Sequence, residues 1–145
     1  MSFLLDNNVI SELAQVHPNK AVVSWIEQTP EDLLFISVVT LAEIHHGVEK
    51  LAAGTKRSRL QHWVSEALHD RFAGRIVPVD VAIAQHWGIV VARCAIAGHP
   101  MDPMDALLAA TAMVHNLTLV TRNTRHFSIL QAAVINPWDH TSSAS

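Results

Sequence analysis

Apolar residues in this chain fall into short unbroken runs separated by stretches with helical spacing. Phe3-Leu4-Leu5 is the first run, and it stops at Asp6. A run of that kind, bounded by polar residues, predicts a strand buried on both faces, as in a parallel sheet covered by helices. After Asp6-Asn7-Asn8 the apolar positions resume at Val9, Ile10 and Leu13, spaced for one face of a helix. Pro18 suits the first turn of a second helix, with Val22, Val23, Trp25 and Ile26 on its apolar side. Leu33 to Val39 predicts a second buried strand. Thr40 then starts a helix to about Gly54, with Leu41, Ile44, Val48 and Leu51 on one stripe.

The same alternation continues. Thr55-Lys56-Arg57-Ser58-Arg59 leads a helix with apolar positions at Leu60, Trp63, Val64, Ala67 and Leu68. Ile76 to Val79 is a short strand, and Pro78 assigns it to an edge or a strand end. Asp80 caps a helix with Ile83, Trp87, Val90, Val91 and Cys94 facing inward and Gly98 closing it. Asp102 as cap and Pro103 as first helical residue open an alanine-rich helix to Asn116. Leu117 to Thr121 is the next strand, and Val134-Ile135 adds an edge. Strands alternating with helices predict an α/β fold with a mainly parallel sheet. With no repeat and no linker, we expect one domain over residues 1–140 and a flexible tail over 141–145.

Composition narrows the function classes. A chain of 145 residues holds one domain with a real core. No apolar run is long enough for a membrane span, the first residues do not form a signal peptide, and Cys94 is the only cysteine. These features suit a reducing cytoplasm without a membrane partner. The net charge of −3 gives no global pull toward nucleic acid, so any such binding needs a local basic patch or metal ions.

Four polar positions stand out because the topology sends them toward one rim of the sheet. Asp6 ends the first strand, where ligands bind in open α/β sheets. Glu43 lies in the first turn of the predicted second-strand helix, and Asn123 follows the last confident strand. Asp105 is in a first helical turn too, but its helix leads into a strand, so its place on that rim is less direct. Each has an ordinary alternative: Asp6 as a cap, Thr40 and Glu43 as a capping box, Asp105 as a dipole partner, Asn123 as a turn residue. Together they are harder to dismiss. Two carboxylates about 4 Å apart repel by roughly 4 kcal/mol at an effective dielectric of about 20. Three on one rim need a cation or raised pKa values, and an all-oxygen set favours Mg²⁺ or Mn²⁺.

Leu4-Leu5-Asp6-Asn7-Asn8-Val9-Ile10-Ser11-Glu12-Leu13, Thr40-Leu41-Ala42-Glu43-Ile44 with Gly47, Asp105 to Ala112, Leu119-Val120-Thr121-Arg122-Asn123 and Asn136-Pro137-Trp138 follow one another in an order that resembles PIN-domain proteins. The likeness is nearest to the VapC-type toxins of toxin–antitoxin pairs, including their FitB-like branch. It implies a three-layer PIN-like fold and a Mg²⁺-dependent endoribonuclease, with tRNA or other structured RNA as substrate. It also implies a silencing antitoxin, contact with operator DNA only through that antitoxin, and a homodimer or larger assembly. Family roles carry over to Asp6, Glu43 and Asp105 as the acidic site, with Asp6 and Asp105 as metal ligands. The fourth family position, often Asp, is Asn123 here, and a nearby acid of some relatives is His126. Asn8 and Thr121 match residues that orient the ligands by hydrogen bonds.

Other signals carry less. His45-His46 beside Glu43 lacks the spacing of a helical zinc motif, and no glycine-rich phosphate loop follows a strand. Lys56, Arg57 and Arg59 read as a solvated helix start unless they border the acidic rim. Trp25, Trp63 and Trp87 read as core or dimer interface. A second function class stays open: because Asn123 brings no charge, a catalytically impaired subunit that binds an antitoxin and alters operator binding is the alternative.

Overall fold

The computed structural model describes residues 1–141, so the tail expected over 141–145 lies almost wholly outside the described residues. Five short parallel strands form the centre: β1 (Phe3–Leu5), β2 (Leu34–Ser37), β3 (Ile76–Val77), β4 (Thr118–Val120) and β5 (Val134–Ile135). Their order is β3-β2-β1-β4-β5. The chain therefore builds outward from β1 in one direction, then returns to build from β1 in the other. The switch falls between β1 and β4, where Leu5 pairs with Val120. A sheet of this topology opens a crevice beyond the carboxyl ends of those two strands.

Alternation along the strands creates two cores. Leu5, Leu34, Ile36 and Val120 face one side, with helices α1 (Asn7–Leu13), α2 (Lys20–Gln28) and α3 (Val38–Glu49) packed over them. Leu4, Phe35 and Leu119 face the other, against α6 (Val81–Ile96) and α7 (Pro103–Val114). Between α3 and α6 the chain forms α4 (Thr55–His62), a π-helical stretch (Trp63–Leu68) and the short α5 (His69–Arg71). The last α-helix among the described residues is α8 (Thr124–Phe127).

α7 sets the spacing on the second face. Ala106, Ala109, Ala110 and Ala112 are all buried, and their small side chains let the helix lie close to the sheet and to α6. Trp87 on α6 donates its indole N–H to the Pro103 carbonyl at 3.1 Å, fixing where α7 begins. Asp102 completes that start by accepting from the N–H groups of Met104 (2.9 Å) and Asp105 (3.3 Å).

Several expected boundaries move, each for a local reason. The second strand ends at Ser37, whose hydroxyl caps α3 by accepting from Val39 N–H at 3.0 Å. The helix thus starts at Val38, two residues before Thr40, and the predicted capping box does not form. Thr40 is fully buried, its hydroxyl has no hydrogen-bond partner, and Glu43 sits in the second turn. α3 also stops at Glu49, short of Gly54. Pro18 precedes the second helix, which Asn19 caps through Ala21 and Val22 N–H. The helix after the basic cluster is not one regular α-helix, being interrupted by the π-helical stretch. α7 ends at Val114, and Asn116 takes the left-handed turn (φ 53°) that follows a helix end.

Ala109→Leu tests the close approach of α7. Forcing a larger side chain into a well-packed contact costs typically 1–3 kcal/mol, so a stability loss of about that size is expected by urea denaturation. An unperturbed variant would mean that the helix has room to move away.

Candidate active site

The crevice between β1 and β4 is lined by carboxylates. Asp6 is 5% exposed and is the first group beyond the Leu5 strand end. One of its oxygens accepts from Asn7 N–H at 2.7 Å, which makes it the cap of α1. The other accepts the Thr121 hydroxyl at 2.7 Å. Thr121 follows β4, so this bond ties the two strand ends together across the switch point. Asn8 braces the same group: its amide donates to Thr121 Oγ1 at 3.1 Å, while its carbonyl oxygen accepts from Arg122 N–H at 3.2 Å. The 3.5 Å separation of the Asn8 amide from Asp6 itself is too long to add much. Asn8 therefore acts on Asp6 through Thr121.

Glu43 and Asp105 complete the acidic group. α7 is a crossover helix, antiparallel to the strands, so its first turn lies at the carboxyl rim although it leads into β4. That resolves the position of Asp105. The charges are mutually felt. Burial raises the Asp6 pKa first and the Asp105 charge adds to it, while the Thr121 and Asn7 hydrogen bonds and His126 oppose. Burial raises Glu43 to about 7, and the charges of Asp6, Asp105 and Asp102 push in the same direction. Asp105 is raised by burial and by Asp102, and lowered by its contact with His126.

Asn123 is held differently. Its backbone N–H donates to Thr121 Oγ1 at 3.0 Å, but its side chain makes no capping bond to α8. The amide is thus not consumed by the turn. In the sequence His126 is visible only as a substitution for an acid. The fold brings its Nδ1 to 3.3 Å from Asp105 Oδ2. Asp102, read as a cap, also contributes charge to the site.

Two surroundings were harder to foresee. Arg122 lies 5.1 Å over the Trp138 ring, a cation–π contact that steadies a guanidinium on the loop carrying Thr121. A groove of about 710 Å³ runs from Asn7 and Glu43 past Ile44, Gly47 and Leu60 to Trp63, with Lys56 and Arg59 on its wall. The basic cluster therefore does border the acidic rim. Only Arg57 is withdrawn, into an ion pair with Glu49 at 2.5 Å. Of the tryptophans, Trp25 is core, packed edge-on against Phe3 with centroids 5.1 Å apart, and Trp63 lines the groove.

An open parallel α/β sheet with acids gathered at its switch point defines the class of this protein, and the family follows. The PIN domain model matches residues 3–131, and the chain belongs to the PIN-domain family. Among its relatives, Toxin FitB of Neisseria gonorrhoeae is 36% identical over 93% of this chain and 97% of that protein. VapC ribonuclease Y4jK of Sinorhizobium fredii is 32% identical over 94% of this chain and 97% of its own length. Among solved structures, the FitAcB crystal structure from Neisseria gonorrhoeae superposes with a TM-score of 0.88 at 36% identity, covering 94% of this chain and 99% of that one.

The raised pKa values predict how metal-free stability depends on pH. With Glu43 raised from 4.5 to about 7, the unfolded chain releases this proton first as pH rises. Stability must then fall across that window, because the folded state binds more protons. In chelator, the melting temperature should decline from about pH 5 to about pH 8, and less steeply in Glu43→Gln. Parallel declines in both proteins would show that burial and the neighbouring charges do not raise Glu43.

Proposed function

We propose that this chain is a Mg²⁺-dependent endoribonuclease toxin, inhibited by a cognate antitoxin. The observation that carries this reading is the convergence of Asp6, Glu43 and Asp105 at the switch point of a PIN-domain sheet, with pKa values raised at all three. Such a donor set fits a hard cation, which relieves the repulsion and prefers oxygen. Among the described residues no three acidic or imidazole groups form a ready-made metal-binding set. Mg²⁺ would take one or two of the carboxylates and complete its shell with water and substrate phosphate.

Asp6 and Asp105 would hold the ion. When bound there, Mg²⁺ would supply charge neutralisation at the scissile phosphate and a lowered pKa for an attacking water. The chain's own residues do the rest. Thr121 and Asn8 fix the Asp6 carboxylate before substrate arrives. Glu43 is raised to about 7 without a metal, by burial and by the neighbouring acids. A cation at Asp6 and Asp105 would lower it again and leave an ionised carboxylate to accept the water proton at neutral pH. Arg122, steadied on Trp138, can take a neighbouring RNA phosphate. In-line attack leaves a 5′-phosphate and a 3′-hydroxyl. tRNA is the substrate class we favour, since a relative 29% identical over 95% of this chain is the tRNA(fMet)-specific endonuclease VapC of Shigella flexneri.

Partners follow the same reading. The FitAB structure bound to a DNA fragment, 34% identical over 99% of this chain with a TM-score of 0.88, supports operator DNA contact through an antitoxin. The groove ending at Glu43 fits an antitoxin segment with apolar anchors and an arginine for the acids. Val81, Ile89 and Ile96 recur about two turns apart on α6 and are exposed, a stripe suited to a homodimer. Among the described residues no helix is long and apolar enough to cross a membrane.

Cleavage of RNA in Mg²⁺ and in chelator is the deciding test. Activity should vanish in chelator and in Asp105→Ala, and Mg²⁺ should raise the melting temperature of wild type but hardly that of Asp6→Asn. Asn123→Asp should cleave at lower Mg²⁺ concentrations than wild type, whereas Asn123→Ala keeps partial activity. RNA cleavage that persists in chelator would sink the metal mechanism. No cleavage by any form would favour the impaired binding subunit.

The groove gives a separate test. A Cβ at Gly47 meets nothing within 4 Å and the position lines the open groove, so Gly47→Phe should fold while obstructing the groove. Its RNA cleavage should survive and resist the antitoxin. Full inhibition of Gly47→Phe would place the antitoxin elsewhere.

A further inference from the structure

Two openings meet at the acidic rim from opposite faces of the sheet. The groove of Lys56 and Arg59 belongs to the face covered by α1 and α3, and Glu43 stands in its wall. The second is an open cavity of about 440 Å³ on the face covered by α6 and α7, with Asp105 in its wall. They share no lining residue. Asp105 nevertheless acts electrostatically on both Asp6 and Glu43, so the carboxylates form one negative ridge between the two openings.

The cations are placed to match. Arg57, Arg71 and Arg75 are consumed in ion pairs with Glu49 and Glu31. Among the described residues Lys56, Arg59 and Arg125 have no carboxylate at ion-pair distance; the first two line the groove and Arg125 lines the cavity. Arg125 is exposed, and it is the chain neighbour of His126, whose ring stands 3.3 Å from Asp105. An exposed guanidinium without a carboxylate partner is free to take a phosphate through two N–H groups. A polyanion that reaches this ridge is repelled by it, so cations on both sides are what such a strand requires. The cavity also has room for one unit of a strand, since its volume lies in the range of roughly 300–1,000 Å³ that holds small ligands. His99 offers it a ring and Ile129 an apolar wall, surfaces suited to an unstacked base.

We propose that a single RNA strand crosses the rim from the Lys56–Arg59 groove into this cavity, where Arg125 binds a phosphate on the Asp105 side of the scissile bond. This rests on the reading of the chain as an RNA-cleaving enzyme. It adds the path of the substrate and a residue that binds it without taking part in the chemistry.

The probe is a fluorescein-labelled single-stranded RNA of about ten nucleotides, read by anisotropy with the full chain in chelator, where the proposed cleavage is off. Each phosphate contact to a single strand contributes about 0.7 to the slope of log affinity against log salt. Arg125→Ala should bind about tenfold more weakly at low salt and lose about that much slope. Arg125→Lys should recover the slope, and Arg93→Ala, on α6 and outside both openings, should match wild type. In Mg²⁺, Arg125→Ala should raise KM for RNA cleavage more than it lowers kcat, as the loss of a binding contact does. Because Arg125 is exposed, its variants should keep the wild-type melting temperature. Wild-type affinity and slope in Arg125→Ala overturn the path through the cavity, and Mg²⁺-dependent cleavage found beside them leaves the proposed function standing. RNA binding that depends on Arg125 in a chain that never cleaves keeps the path and removes the nuclease. A wild type that does not bind the RNA overturns the path, whatever cleavage shows.

Discussion

A nearly buried carboxylate at the meeting point of two strands is the constraint on which this molecule turns. Asp6 has little access to water, and a charge removed from water must be compensated by hydrogen bonds, by counter-charge or by a proton. The fold supplies the first: the Asn7 N–H on one oxygen and the Thr121 hydroxyl on the other. It does not complete the second. Around Asp6 the acids Asp105 and Glu43 worsen the balance, and His126 eases it. The result is a group fixed in direction but short of positive charge. A site that fixes its donors beforehand leaves less ordering to be done when a ligand arrives.

The geometry behind that constraint is inexpensive in sequence. A parallel sheet wound outward from β1 in both directions leaves a crevice between β1 and β4 whatever the details of its loops. Two residue choices then convert the crevice into an acidic site. Hydrogen-bonding side chains at the ends of adjacent strands, Asp6 and Thr121, lock together across the switch. Alanines along α7 bring its first turn, and so Asp105, up to the same rim. Trp87 and Asp102 anchor that turn from outside. The core and the site are therefore not separable. A change in α7 packing would act on the position of a carboxylate as well as on stability.

Much of this was legible from periodicity, because buried runs and helical stripes are imposed by which side chains must avoid water. The succession of strands along the chain, Asp6 at a strand end, Asp80 and Asp102 as caps, and the edge position of β3 and β5 all follow from that rule and from proline and cap chemistry. The misread boundaries share a different cause. Val38 and Val39 look like strand residues, and only the Ser37 hydroxyl, acting locally, turns the chain into a helix there. The π-helical stretch at Trp63 has no residue signal. Contacts between residues remote in sequence were the least visible part. The Asp105–His126 approach, the Arg122–Trp138 stacking and the groove joining Lys56 and Arg59 to Glu43 depend on how separate elements are brought together.

The shortage of positive charge at this rim admits three solutions, and they compete. Protons are the first: Glu43, raised to about 7, can take one near neutral pH without disturbing the fold. A divalent ion is the second, and it would draw Asp6 and Asp105 into use together. A guanidinium from a bound chain is the third, reaching the acids along the groove that ends at Glu43. Each removes the same repulsion, so occupation by one weakens the case for the others. On the proposed function, this makes inhibition more than steric cover. An antitoxin arginine would remove the electrostatic reason for the ion to bind, and a protein ligand anchored along an apolar groove holds its charge there at high effective concentration. The strain that recruits the catalytic ion would thus be the same strain that recruits the inhibitor. A site relaxed by neutral residues would lose both.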